Sequence, residues 1–383
     1  MTNYDEKVMW INPPFFLRMW GLLYLRSENK IIQPEKITPT QKLMREWLLF
    51  QLPKYRHQPL IDRTNQCELP FNFDTSLYPL PKLEQNNFEL RELMTRRAKE
   101  IVALSKQYDC KILVFYSGGV DSTAIVCSFI DLLGLDDAKK NIILCMSEES
   151  IVENPNFYDS VIKNNFEIAP SKQYHFTLQD NRYKDCIFVN GDPGGTLFGG
   201  GDTLLKLTKD SSVESLLKMD WQDVLKTFYE DNDVFEYATS CMIKSSQYAN
   251  YKINDIYDYF WWFTINFRWV GICFNVITSC KQLLEKNEHD RQYWIDHNCA
   301  FYDTDYFQQW SFSNKHNILS YFHTRDVKYY KHDLKKYIYS VSKDLTYINT
   351  KGKEGILTKI RNIAEPDRAF HQIYIIDPNY KVK

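Results

Sequence analysis

Apolar and polar positions divide the chain into three textures. Up to about residue 100, prolines keep interrupting the pattern, and nine of the fourteen fall at 13, 14, 34, 39, 53, 59, 70, 79 and 81. Helical spacing is predicted here over 39–52 and again over 88–105. In the second stretch Leu90, Leu93, Ile101, Val102 and Leu104 recur among charges, as on a surface helix leading into a sheet. From Cys110 short apolar runs alternate with helical spacing. Residues 111–116 (KILVFY) suit a buried parallel strand, and a helix is predicted over 122–133, closed by Gly134 as its C-terminal cap. A strand over 141–146 (NIILCM), a helix over 156–166 after Pro155, a strand over 174–178 and a strand over 186–190 (CIFVN) follow. This succession predicts an α/β fold, a doubly wound parallel sheet with ligands at the carboxyl ends of its strands. After about residue 210 strand signals fade, and aromatic-rich helical spacing runs to roughly 345. The expected division is a small N-terminal domain over 1–87, the sheet domain over 88–210 and a mainly helical substrate region over 211–383.

Composition narrows the picture. A chain of 383 residues is long enough for two or three domains at about 100–200 residues each. A net charge of -2 leaves no global positive field for a nucleic-acid backbone, so only a local patch could serve one. The nine cysteines include no CxxC pair, which argues against both a disulfide framework and a zinc knuckle. The opening MTNYDEKVMWINPPFF has acids and a proline pair where a secretory leader needs positive charge and an unbroken apolar helix, so a cytoplasmic protein is expected. Residues 259–277 carry one formal charge over a length that could span a bilayer. Asn266, Arg268 and Asn275 interrupt them, and a mid-span arginine alone costs at least ~2.5 kcal/mol, so a buried core helix is expected and no membrane contact.

The candidate chemistry sits between the first strand and its helix, in Ser117-Gly118-Gly119-Val120-Asp121-Ser122. Two glycines let successive N–H groups converge, and a helix N-terminus adds its positive dipole, so the segment reads as an anion cradle. The hydroxyls of Ser117 and Ser122 can donate to phosphate oxygens. A carboxylate at Asp121 repels phosphate, which argues for a divalent cation between them. A plain glycine turn with a capping residue is the bland alternative.

This hexapeptide resembles the SGGxDS loop of the PP-loop, or N-type ATP pyrophosphatase, family. The resemblance implies an adenine nucleotide α-hydrolase-like sheet, and a loop that binds the pyrophosphate part of ATP while the enzyme cleaves between the α and β phosphates. Residues 190–200 (NGDPGGTLFGG) resemble the SGEGxDELFGG segment of the asparagine synthetase-like branch, with Gly191, Phe198, Gly199 and Gly200 matching and Asp192 standing for the acid. By this resemblance Asp192 is a second metal ligand or the base for an amine. Gly195 and Thr196 replace the branch's Asp-Glu pair, and Asp202 compensates only if the loop folds back.

Two fainter likenesses follow. Residues 300–303 (AFYD) and 331–335 (KHDLK) are similar to the branch's PFLD and KxxLR segments. Residues 350–355 (TKGKEG) fall where the branch has an R-x-K segment whose lysine contacts phosphate, which implies Lys353, with Lys351 as the alternative. Residue 2 is Thr and the first cysteine is Cys67, so the branch's cysteine-dependent glutaminase is not expected.

The resemblance thus implies an ATP-dependent, AMP-forming ligase. It would adenylate a small carboxylate and pass the acyl group to ammonia or an amine, with a separate ammonia-supplying protein as a potential partner. ATP would lie with its adenine near Met146 and its pyrophosphate against Ser117, Gly118, Gly119, Ser122 and Gly191. Mg2+ would be held by Asp121 and Asp192, with Lys353 stabilising charge on the phosphates. The alternatives are a PP-loop enzyme modifying a nucleobase or tRNA, disfavoured by the missing CxxC pairs and the acidic balance, and a nucleotide-binding protein without ligase activity.

Overall fold

In the computed structural model, residues 60–67, 78–170, 182–183, 185–199, 212–278, 296–315, 318–319 and 326–352 are described, with short segments before residue 60. Near the N-terminus β1 (Val8–Trp10), β2 (Leu23–Leu25) and β3 (Lys30–Ile32) pair antiparallel in that order. The second sheet is all-parallel and contains β4 (Ile112–Phe115), β5 (Ile142–Met146), β6 (Glu167–Pro170), β7 (Ile187–Asn190) and β8 (Asn298–Ala300), in the order β6-β5-β4-β7-β8. Its register sets Ile112 beside both Ile142 and Ile187, and Val189 beside Cys299. The three central strands are continuous apolar runs with almost every residue buried, as a sheet covered on both faces requires.

The strands predicted near 111, 141 and 186 are β4, β5 and β7. The strand predicted over 174–178 lies outside the described residues, and β6 forms earlier, at Glu167–Pro170. The helix predicted over 156–166 is shorter. Pro155–Phe157 starts it and a π-helical turn over Tyr158–Ile162 ends it. β8 has no counterpart in the predicted elements.

Helix α1 (Leu90–Gln107) precedes the sheet, and α2 (Val120–Leu133) follows β4. Helix α2 is apolar on nearly every side because α1 and α5 (His332–Ser342) both pack against it; α3 (Glu148–Glu153) and α4 (Asp305–Ser313) come between in sequence, and α6 (Leu345–Thr350) comes last. Gly134 caps α2 in a positive-φ conformation, as its position in the sequence indicates.

The chain forms two compact units. One comprises 84–197 and 285–365, and the other comprises 1–83, 198–284 and 366–383. The parallel sheet belongs to the first unit. In the second, the aromatic run builds core. Tyr259, Phe260, Trp261, Trp262, Phe263, Phe267 and Trp269 are buried along Ile256–Trp262, a π-helical stretch Phe263–Arg268 and Trp269–Thr278. Trp47 donates its indole N–H to the Tyr259 hydroxyl (3.0 Å), and buried Asp62 accepts from Asn266 Nδ2 (2.8 Å) and the Gln66 and Cys67 amides. The N-terminal segment is thereby stitched to the aromatic helices within one unit. Among the described residues no helix is long and apolar enough to cross a membrane.

Candidate nucleotide site

The first strand, β4, lies in the middle of the sheet. From it the chain passes to β5 and β6 on one side, then returns to β7 on the other. Connections leaving adjacent strands β4 and β7 therefore diverge and open a crevice at their carboxyl ends, the usual ligand position in open α/β sheets. The two loops singled out in the sequence, 117–122 and 190–195, both begin at this crevice.

Helix α2 starts at Val120, two residues before its predicted start, so Asp121 sits in the first turn, where a carboxylate complements the helix dipole. The first intrahelical bond at this end runs from Thr123 N to Gly119 O, and the amides ahead of it lie at the positive end of the helix. Gly118 takes φ +79°, and a Cβ there would collide with the Ser150 carbonyl and lie 2.7 Å from Glu153 Cβ. Glycine is required on both counts. The serine hydroxyls hold the loop: Ser117 and Ser122 Oγ are 3.1 Å apart, Ser122 Oγ donates to Gly119 O (3.2 Å), and Gly119 N donates to Ser117 Oγ (3.3 Å).

The second loop comes close to the first. A Cβ on Gly191 would lie 3.4 Å from Asp121 Cβ, and one on Gly194 would lie 3.0 Å from Asp121 Cγ and 2.7 Å from the Tyr302 ring. Tyr302 follows β8 and donates its hydroxyl to the Asp121 carbonyl (2.9 Å). Burial, then the Asp121 charge, pushes this phenol up, so it remains a donor. Arg97 of α1 steadies the approach by donating to the Phe301 and Ala300 carbonyls (3.1 and 3.3 Å). Asp192 is exposed at the crevice, its amide held by Asn190 Oδ1 (2.9 Å). Met146 is buried at the end of β5.

Two buried ion pairs complete the arrangement. Lys331 pairs with Asp121 Oδ2, their side chains 6% and 25% exposed, and Lys351 pairs with Glu153 Oε1 at 9% and 4%. Lys351 also donates to the Glu153 carbonyl (3.0 Å). The other oxygens of both acids, Asp121 Oδ1 and Glu153 Oε2, are buried without a hydrogen-bond partner among the described residues. Buried acceptors of this kind call for a partner such as a water or an ion. Among the described residues no three His, Cys, Asp or Glu side chains group as a metal site. Compared with known protein families and with curated proteins, the chain finds no match.

The structure therefore brings together Ser117, Gly118, Gly119, Asp121, Ser122 and Gly191, while Asp192 follows Gly191 in the chain with its side chain exposed. Lys353, Gly200 and Asp202 lie outside the described residues; Lys351, the alternative lysine, reaches the site by way of Glu153. The sequence pattern assigned no role to Glu153, Lys331 or Tyr302, although Lys331 and Tyr302 lie in the two faint likenesses.

A third lysine is close by. Lys335 of α5 is buried, donates to the Ile348 carbonyl (3.3 Å), and has its pKa lowered to about 8 by burial and then by Lys351, with Asp326 opposing. Below pH 8 it is charged in folded and unfolded chains alike, and the folded state bears the full penalty. Between about 8 and 10.5 the folded chain sheds this proton while the unfolded chain keeps it, so stability rises with pH. Lys335→Met is expected to stabilise the protein at pH 7 by on the order of 1–3 kcal/mol and to gain progressively less above pH 8. Urea unfolding across that range checks this, and a gain independent of pH would contradict it.

Proposed function

We propose that the chain is an ATP-dependent ligase of the PP-loop type that adenylates a carboxylate, releases pyrophosphate, and transfers the acyl group to ammonia or an amine. One observation carries the reading. A glycine-dependent loop and the N-terminus of α2 open into the crevice between β4 and β7, with two lysine ammonium groups buried beside them. Converging amides and ammonium groups at a strand end suit the β and γ phosphates of a nucleoside triphosphate.

In this reading the Gly118–Gly119 backbone and the first turn of α2 cradle the pyrophosphate, and the end of β5 near Met146 receives the base. Lys331 and Lys351 balance the charge that develops on the leaving group. Asp121 through Oδ1, together with Asp192, would hold Mg2+, which usually takes one or two carboxylates and completes its shell with phosphate and water. When bound, Mg2+ supplies charge neutralisation for the departing pyrophosphate. Asp192, which is exposed, would accept a proton from the incoming amine.

The test is a search by mass spectrometry for ATP-dependent conversion in a mixture of amino acids and modified nucleotides supplied with ammonia, with AMP and pyrophosphate followed in parallel. Stimulation by tRNA or a free base, and not by a carboxylate, would replace this reading with a nucleobase-modifying one. The two ion pairs, which occupy one oxygen of each acid, favour a second reading as a nucleotide-binding protein without turnover. ATP binding with no AMP from any carboxylate would establish that one. Asp192→Asn is expected to preserve adenylate formation, measured by exchange of labelled pyrophosphate into ATP, while amide formation falls about 10²-fold or more. Equal loss of both steps would remove the assigned role.

A further inference from the structure

We infer that internal water sits behind the Gly118–Gly119 loop, joining the phenols of Tyr116 and Tyr347 to the spare carboxylate oxygen of Glu153, and that through it Tyr347 is a positioning residue for the loop. The hydration site stands on the packing alone, and its consequence for nucleotide binding rests on the reading above.

Three segments of one compact unit meet behind the loop. Tyr116 directly precedes it, is 2% exposed, and stacks its ring on Phe157 (6.2 Å between centroids). Asn154 accepts the Phe157 amide through Oδ1 (3.4 Å) and donates from Nδ2 to Thr123 Oγ1 (3.4 Å), in the first turn of α2. Helix α6 is fastened to the same stretch at both ends. Its N-cap Asp344 accepts from Asn156 Nδ2 (3.1 Å), and Lys351 beyond its last turn pairs with Glu153. Tyr347, 6% exposed, lies one turn before Lys351 and accepts that residue's amide on its carbonyl (3.0 Å).

The polar atoms gathered here do not pair with one another. The Tyr116 and Tyr347 hydroxyls and Glu153 Oε2 are buried without a hydrogen-bond partner among the described residues. Burial pushes both phenols up, so each keeps its proton and remains a donor. The Thr123 hydroxyl opposes that push at both phenols, which makes it their common neighbour although neither phenol meets it in bonding geometry. Polar groups that lie close and miss direct contact are suited to bridging by water. The inventory closes on one molecule. Water accepts from the two phenols and donates to Glu153 Oε2, and its second proton can go to Thr123 Oγ1, which has a lone pair left after accepting from Asn154. A cation suits the place poorly, because Lys351 already neutralises Glu153 and a further positive charge would be buried uncompensated. Glu153 Cβ underlies Gly118, so whatever orders Glu153 also sets the loop.

Two measurements on the full chain test this. The first is a crystal structure at a resolution that shows water, with a second crystal soaked in thallium(I), whose anomalous signal marks alkali-cation sites. Water within hydrogen-bond distance of both phenols and Glu153 Oε2 is expected. Thallium density there, or phenols bonded directly to protein atoms, would overturn the hydration site. The second is Tyr347→Phe, which keeps the ring and removes only the hydroxyl. It is expected to raise the unfolding constant about tenfold in urea. Adding Tyr116→Phe should cost little more, since both phenols share one partner. Amide exchange over 117–123 should quicken in Tyr347→Phe with β5 unchanged, and ATP affinity should fall about tenfold. A more stable Tyr347→Phe protein would mean a dry site and overturn the inference. Exchange needs no nucleotide, so the two readings fail separately. Quickened exchange in a protein whose wild type binds no ATP would overturn the nucleotide reading alone. Wild-type ATP binding, with exchange and affinity unchanged in Tyr347→Phe, would overturn the positioning role alone.

Discussion

Asp121→Ala is expected to abolish ATP-dependent pyrophosphate release, lowering turnover by about 10³-fold or more. The substitution removes the carboxylate proposed for Mg2+, and such charge stabilisation is worth several kcal/mol. It also leaves the ammonium of Lys331 buried without its carboxylate. Asp121→Asn separates the two effects: it retains an oxygen for Lys331 and the shape of the first turn of α2, so the fold should survive while activity is lost. The check is steady-state release of AMP and pyrophosphate with each variant, alongside circular dichroism. If the alanine variant makes AMP as fast as the wild type, Asp121 has no part in the chemistry.

The second large effect is on stability. Glu153 and Lys351 are 198 residues apart in sequence and almost wholly buried. Glu153→Gln leaves the lysine charge uncompensated, which costs about 3–5 kcal/mol in comparable buried pairs. Because Glu153 lies under Gly118, the loss should be felt in the cradle itself. Hydrogen exchange over 112–133, read by mass spectrometry, is expected to speed up strongly in Glu153→Gln. Exchange should return most of the way in the double variant Glu153→Leu with Lys351→Met, where no buried charge remains. Equal destabilisation by the single and the double variant would show that packing, and not charge, holds the two segments together.

Local pattern made some of this architecture legible. The apolar runs of β4, β5 and β7 stand out because a doubly covered parallel strand needs no polar face, and the paired glycines before α2 mark the cradle. β8 was hidden because Asn298–Ala300 is three residues long and takes its place only by pairing with β7. β6 was hidden because its four residues, EIAP, combine a charge and a proline with only two apolar side chains. The ion pairs are beyond any window of sequence: Lys331 reaches Asp121 across 210 residues. Nor does KHDLK reveal that its first residue is left-handed, since a lysine has no intrinsic preference for that conformation. The two loops were found because their chemistry is written in contiguous residues. Lys331 was missed because its place is assembled by the fold, and Lys351 was named only as the alternative to Lys353.

The late arrival of β8 also bears on biosynthesis. A ribosome releases β7 long before Asn298–Ala300, so the nascent sheet has β7 as an unpaired apolar edge while about a hundred residues emerge. Such an edge is a template for mispairing with another chain. The same interval delays Tyr302 and both lysines, so the emerging protein has its Gly118–Gly119 loop before it has the side chains that brace and neutralise it. The demand for protection during synthesis is therefore expected to fall on the stretch between β7 and β8.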